Sequence, residues 1–309
     1  MKGRRALGTG SIVLPAVNLL SSPLSAPRAA VRELLTGDPE AATPWVRQMG
    51  DPGDEGWFGP GSTIWAVHAD AATLVGGVRA LLVQAMHPTV LTGFDQHSDY
   101  REEPEARLQR TAAFVTVTTF GTRAQASAAC DRVRNVHAPV RGRTATGQPY
   151  DASDPELLGW VHLALADSLA EAVRRYGRTR FDLDSYLADM AVVGEQLGAA
   201  HVPHSASELA AAWAHYRPAL GVTAETAAAH SFLLDPPLPT HIRVPYRLVA
   251  AAAVASLPAD LRTLLAARPV VPAVPARLLG RAVTRLLAAV LGPSPAAAAA
   301  HRRTAVRPA

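Results

Sequence analysis

The sequence predicts an all-α fold, a single multi-helix bundle domain. Three observations carry this. Apolar residues recur at helical spacing along most of the chain, Ser, Thr or Asp stands before the periodic stretches, and Gly or Pro closes them. Of the 309 residues, 49% are hydrophobic and 18% charged, enough apolar surface for a sizeable core and against a disordered chain.

Residues 1–57 read as an N-terminal arm and a first helix. Met1-Lys2-Gly3-Arg4-Arg5, the apolar stretch 11–20 and Leu24-Ser25-Ala26 have the outline of a secretory leader. Pro15 and Asn18 break the apolar part and Pro27 follows the cleavage-like site, so an arm is the expectation and secretion is not. The loop 50–61, rich in Gly and Pro, precedes a helix starting near Ser62. Residues 70–87 are nearly all helix formers, with Asp70 as N-cap and Pro88 as stop. Residues 95–102, from Asp95 to Glu102, read as a polar loop.

The next helix spans 103–120 and stops at Gly121, although its β-branched run 114–120 weakens local helix propensity. Thr122 caps a helix over 122–138, closed by Pro139 and Gly142. Asp151 or Ser153 opens a long helix at 155–176, and Asp182 or Asp184 opens another that ends near Gly198. Shorter helices follow at 206–216, 224–233, 244–257 and 275–291. Residues 293–309, Pro and Ala with three arginines, read as a disordered basic tail, which leaves 58–292 as the domain.

The net charge of +4 is unevenly spread. Residues 241–309 hold ten arginines against one acid, Asp260, a local +9, so the rest of the chain carries −5. Lys2 is the only lysine. Arg277, Arg281 and Arg285 recur every four residues beside Leu278, Leu279, Val283, Leu286 and Leu287. Such a helix either lies on anionic lipid, as a weak membrane-surface contact, or packs on the core with a solvated arginine face. The basic end lacks interleaved aromatics, so no nucleic-acid partner is expected. No apolar run is long enough for a spanning helix. Cys130 stands alone, which rules out an internal disulfide and suggests a reducing, cytoplasmic setting.

Phosphate loops with a lysine, HExxH, CxxC, Glu-x-x-His pairs and Gly-x-Ser-x-Gly are all missing from the sequence. His201 and His204 have H-x-x-H spacing, but two ligands are too few for a structural metal site. What remains is a histidine-and-arginine constellation. Arg107 with Thr111, and Arg110 with Phe114, are i,i+4 pairs, so two cations, a hydroxyl and a ring share one helix surface. That surface is either a solvated arginine face or a site. On the next helix His137 lies among Val133, Val136 and Val140, either a buried ring satisfied by a neighbour or a metal ligand. A single histidine suffices when a porphyrin already holds the metal, and Arg134 and Arg141, which flank His137, would suit its propionates. Cys130 is the weaker candidate ligand. His87 reads as a helix cap, and His162 as a ring hydrogen-bonded across helices or facing a pocket.

Several stretches resemble one family. They are Gly59-Pro60-Gly61-Ser62-Thr63-Ile64-Trp65 with His68, Gln84-Ala85-Met86-His87-Pro88 and His97-Ser98-Asp99-Tyr100. After these come Arg107-Leu108-Gln109-Arg110-Thr111, Val136-His137-Ala138-Pro139-Val140-Arg141-Gly142 and Trp160-Val161-His162. Together with Leu197-Gly198, Pro203 and Pro236-Pro237-Leu238-Pro239, in order, they resemble the MpaB / rubber oxygenase catalytic-domain family. The resemblance implies an all-α fold with an internal pocket for non-covalent haem b, and His137 as its axial iron ligand. It further implies a dioxygen-using oxidoreductase with a small or medium-sized apolar substrate, such as an alkene or prenylated compound. In that frame Arg107 and Arg141 would pair with propionates, and Arg110 and Thr111 would stand near bound oxygen. His97, Asp95 or Glu102 would take a proton, and the helix carrying Leu81, Leu82 and Val83 would wall the pocket. One position departs from the rubber enzyme: Arg110 stands where that enzyme has a distal lysine, and arginine cannot deprotonate as lysine can. A haem or apolar-ligand carrier without turnover is the alternative on the same fold.

Overall fold

Helix-forming segments punctuated by Gly and Pro set the element order in the computed structural model, which describes residues 24–265 and 276–305. The helices are α1 (Ser25–Thr36), α2 (Pro44–Gln48), α3 (Thr63–His68), α4 (Thr73–Gln84), α5 (Pro88–His97), α6 (Pro104–Phe120) and α7 (Arg123–His137). After the strands β1 (Arg141–Arg143) and β2 (Pro149–Asp151) come α8 (Pro155–Tyr176), α9 (Leu183–Leu197), α10 (Ala206–Tyr216) and α11 (Ala224–Leu234). α12 (Thr240–Ser256), α13 (Ala259–Thr263), α14 (Ala276–Leu291) and α15 (Pro295–Ala305) complete the chain. The all-α expectation holds. The leader-like segment before residue 24 lies outside the described residues.

Side-chain caps set the starts of five of the longer helices. Thr122 and Gln125 form a reciprocal capping box at the start of α7, and Thr223 with Thr226 does the same for α11. Asp154, Asp182 and Ser205 each accept a backbone N–H at the starts of α8, α9 and α10. The β-branched run 114–120 is helical because tertiary packing outweighs its modest local preference.

The core is organised on α4 against α8, with α12 packed on α4 and α14 on α12. At the crossing a Cβ on Gly76 would come within 2.9 Å of the Leu169 Cα and of the Ser168 carbonyl, so only glycine lets the two backbones approach this closely. Arg79, 2% exposed, bridges the same interface by donating to Asp167 at 2.8 Å and to Ser168 at 2.6 Å.

Three expectations are corrected. Pro88 does not simply stop a helix: it occupies the first turn of α5, where its missing N–H costs nothing, and α5 takes in the first three residues of the expected polar loop. Residues 141–151 fold back as a β-hairpin with Gly142 facing Tyr150, a pairing too short to leave an alternating pattern. Residues 295–305 are helical rather than disordered. Arg303 of α15 is buried and donates to the Met49 carbonyl at 2.5 Å and the Phe120 carbonyl at 2.7 Å, satisfying acceptors at the ends of α2 and α6.

Candidate active site

Gly121 and Thr122 join α6 and α7 into a packed helical hairpin, so the first turn of α6 comes level with the last turn of α7. Arg107 therefore lies near enough to His137 for its charge to act on the ring. The Arg107 guanidinium lies over the Phe94 ring of α5, 4.9 Å from its centroid. Burial lowers the Arg107 pKa, and the neighbouring charge of Arg110 lowers it further. Among the described residues no carboxylate pairs with Arg107 or Arg110. His137 is likewise pushed below its usual range, first by burial and then by Arg107. Its ring makes no hydrogen bond among the described residues, so it stands neutral with an uncommitted lone pair.

Several residues of α4 and α6 are only partly covered. Between residues 104 and 117 α6 buries no side chain fully, although α1 and α7 pack against it. On α4, Leu74, Gly77 and Leu81 are only half-buried, and a Cβ on Gly77 would meet no atom within 4 Å. Leu82 and Val83, expected on the same wall, are in the closed core. His68 of α3 is also half-buried, yet burial brings its pKa down to about 3. Its hydrogen bonding is determinate. Thr119 donates its only hydroxyl hydrogen to the Val115 carbonyl, so it accepts from His68 Nδ1–H at 2.7 Å. His68 Nε2 in turn accepts from the buried Tyr186 hydroxyl at 3.2 Å.

Of the residues singled out in the sequence, the fold thus brings together Arg107, Arg110 and His137 and parts others from them. Arg141, expected at a propionate, is exposed on β1 and donates to Asp151 at 2.8 Å across the hairpin. Arg134 is tied to Asp131 and the Gln196 carbonyl. Thr111 lies on α6 one turn from Arg107, but its hydroxyl hydrogen goes to the Arg107 carbonyl at 3.1 Å, so it is not a free donor. Asp95 accepts from Tyr100 at 2.6 Å and Arg101 at 3.1 Å, and Glu102 is exposed.

His97 is exposed at the end of α5, one turn beyond Phe94. Tyr150 donates to Gln96 Oε1, so His97 Nε2–H donates to the Tyr150 oxygen at 3.1 Å and Nδ1 keeps its lone pair. His87 does cap a helix, but the following one: its Nδ1 accepts from Val90 N–H at 3.4 Å. His162 is packed against Gly194 with Nε2 unpartnered among the described residues, and burial lowers its pKa to about 4. Burial raises the Cys130 thiol to about 11, so it is no thiolate ligand at neutral pH. Sequence reasoning missed Phe94, Thr119 and Tyr186. Phe94 is a partner of Arg107 only because residues 88–97, given no helix in the sequence, form α5, and the other two meet His68 only through tertiary packing.

The chain is an all-α oxygenase domain. Residues 65–300 match the family described as "ER-bound oxygenase mpaB/B'/Rubber oxygenase, catalytic domain", and the chain belongs to that family. The match runs into α15, past residue 292 where the sequence suggested that the domain ends. No curated protein and no solved structure matches the chain.

Proposed function

We propose that the chain is a haem b-dependent oxygenase acting with dioxygen on a small or medium-sized apolar molecule, such as an alkene or prenylated compound. One observation carries this reading: a neutral, uncommitted His137 beside a desolvated Arg107 that has no carboxylate partner. A guanidinium partly removed from water without a counter-charge is unfavourable, so the position favours an incoming carboxylate. A propionate has that chemistry, and neutral imidazole is the ligand a haem iron takes. The residues fit the group.

In this reading His137 holds the iron and Arg107, seated on Phe94, pairs with a propionate. The haem, when bound, supplies the activation of dioxygen. Arg110 adds a fixed positive charge on the same hairpin face, suited to stabilising negative charge that develops on oxygen. Leu74, Gly77 and Leu81 offer apolar wall. His97 Nδ1 is the available proton acceptor at the edge of the cluster, with Tyr150 fixing its tautomer.

The purified chain is expected to show a Soret band at one haem per chain, and His137→Ala to abolish it. Unchanged haem in that variant would end the assignment. Oxygen uptake with an apolar alkene tests turnover, and its absence across such substrates would favour the carrier reading.

We also propose a weak contact with anionic membrane surfaces through α14. Its outer face carries Leu278 and Leu286, 65% and 59% exposed, beside exposed Arg281 and Arg285. The opposite face is fixed to the core, with Gly280 against the Tyr176 ring and Thr284 donating to the Tyr176 carbonyl at 2.9 Å. No single helix is long and apolar enough to cross a membrane among the described residues. The intact chain should float with anionic liposomes at low salt. Failure to float there would reject the contact.

A further inference from the structure

The H-x-x-H spacing of His201 and His204 is not how these rings are used. His204 pairs with Glu195 at 2.9 Å, whereas His201 meets His215, a residue distant in sequence on the last turn of α10. The His201 and His215 rings lie 4.0 Å apart between centroids, tilted by 38°. Both aim Nε2 at one carboxylate: His201 at Glu156 Oε1, 3.0 Å away, and His215 at Glu156 Oε2, 2.9 Å away. Glu156 sits in the first turn of α8.

From this geometry we infer a divalent metal site of the zinc class, with Glu156, His201 and His215 as its protein ligands and water in the remaining position. It does not rest on the haem reading. One ligand atom from each residue lies within 4.8 Å of the others. A tetrahedral zinc with bonds of about 2.0–2.1 Å holds its ligand atoms about 3.4 Å apart. Small rotations of three half-exposed side chains close that difference. Two imidazoles and one carboxylate form a donor set that suits zinc and its first-row neighbours rather than calcium or magnesium, which take oxygen ligands.

The surroundings hold the ligands in place. The Ala200 N–H donates to the Pro155 carbonyl at 2.8 Å, tying the loop before His201 to the start of α8. Gly159 lets that loop sit against α8, since a Cβ there would strike the Ala200 carbonyl. His201 itself adopts a left-handed backbone, φ 51°, and its ring lies against that of His215. Tyr216 walls the site from below, with its ring centroid 4.8 Å from that of His215 and 6.0 Å from that of His201. Its hydroxyl is buried without a hydrogen-bond partner among the described residues. With metal bound, each neutral imidazole coordinates through Nε2 and carries its hydrogen on Nδ1. The ion would join α8, the loop after α9 and the end of α10 at one point.

The test is a Zn2+ titration of the untagged full-length chain, stripped of metal with a chelator and read against a competing metal dye. One Zn2+ per chain is expected. His201→Ala, His215→Ala and Glu156→Gln should each weaken binding by at least about tenfold, since even outer-shell changes cost roughly 10- to 100-fold. His204→Ala and His137→Ala should leave it unchanged. As a second measurement, Zn2+ should raise the melting temperature of the wild type but not of Glu156→Gln, which keeps the shape of the site. Absence of saturable binding would overturn the site, as would binding that survives both His201→Ala and His215→Ala. Binding lost in His137→Ala would overturn it too, because the ion would then lie in the hairpin.

Discussion

Arg107 shows how one residue can carry opposite consequences for stability and for function. Its guanidinium is half-buried, rests on Phe94 and has no carboxylate partner among the described residues. A charge in that position weakens the empty protein, while a carboxylate arriving with a cofactor would turn the same position into an attractive one. Arg107→Met keeps the contact with the Phe94 ring and removes the charge. We expect the haem-free variant to be more stable than wild type by about 1 kcal/mol, read as a higher urea midpoint. We expect it also to retain haem less well during gel filtration. A variant less stable than wild type and unchanged in haem retention would mean that Arg107 supports the fold and nothing more. His137 is governed by the same neighbour: the Arg107 charge helps keep its imidazole neutral, the form that can ligate.

At the scale of elements, the α4–α8 crossing combines a glycine contact with a buried ion pair. Arg79 gives hydrogen bonds to both Asp167 and Ser168, so its loss leaves a carboxylate that is only 17% exposed without its counter-charge. Arg79→Met is expected to cost about 3–5 kcal/mol, and the double variant Arg79→Met/Asp167→Leu to recover much of that loss. Urea denaturation of the two single variants and the double variant measures the coupling, and additive losses would show that the pair is not a unit. Neither Arg79 nor its role was legible in the sequence, because a lone arginine among apolar residues looks the same whether it faces solvent or a carboxylate on another helix. The order of the longer helices was legible, since caps such as Thr122 and stops such as Gly121 and Gly177 are local, but the short α2 and α13 and the C-terminal α15 were not. The ordered motifs also made the family legible and singled out Arg107, Arg110 and His137 as candidates. Phe94 and the Arg141–Asp151 pair were hidden because α5 and the hairpin both begin within stretches of turn-like composition. The tail misled for a related reason: Ala-rich sequence beside prolines says little about whether one arginine, here Arg303, finds two carbonyls to satisfy.

For the whole molecule, the spread of neutral histidines through the interior sets the response to acid. Burial lowers the pKa of His68 to about 3 and of His162 to about 4, and it also lowers those of His87, His137 and His230. Unfolded, each ring titrates near 6.5. Below that pH the unfolded chain takes up protons that the folded chain refuses, so stability is full above about pH 6.5 and falls as the solution is acidified. Each ring contributes a slope of roughly 1 kcal/mol per pH unit until the pH reaches its folded value. Asp189 works the other way, since burial raises its carboxyl, but it is one group against five. The expected profile is a plateau from pH 8 to 6.5 and a steep decline toward pH 4.5, measured as the urea midpoint at each pH. His162→Leu removes one of the refusing rings, so its profile should fall less steeply over that window whatever its stability at pH 7. A wild-type profile that stays level from pH 6.5 to 4.5 would mean that these rings protonate in the folded state. His137 would then lose the neutrality on which its role as a ligand depends.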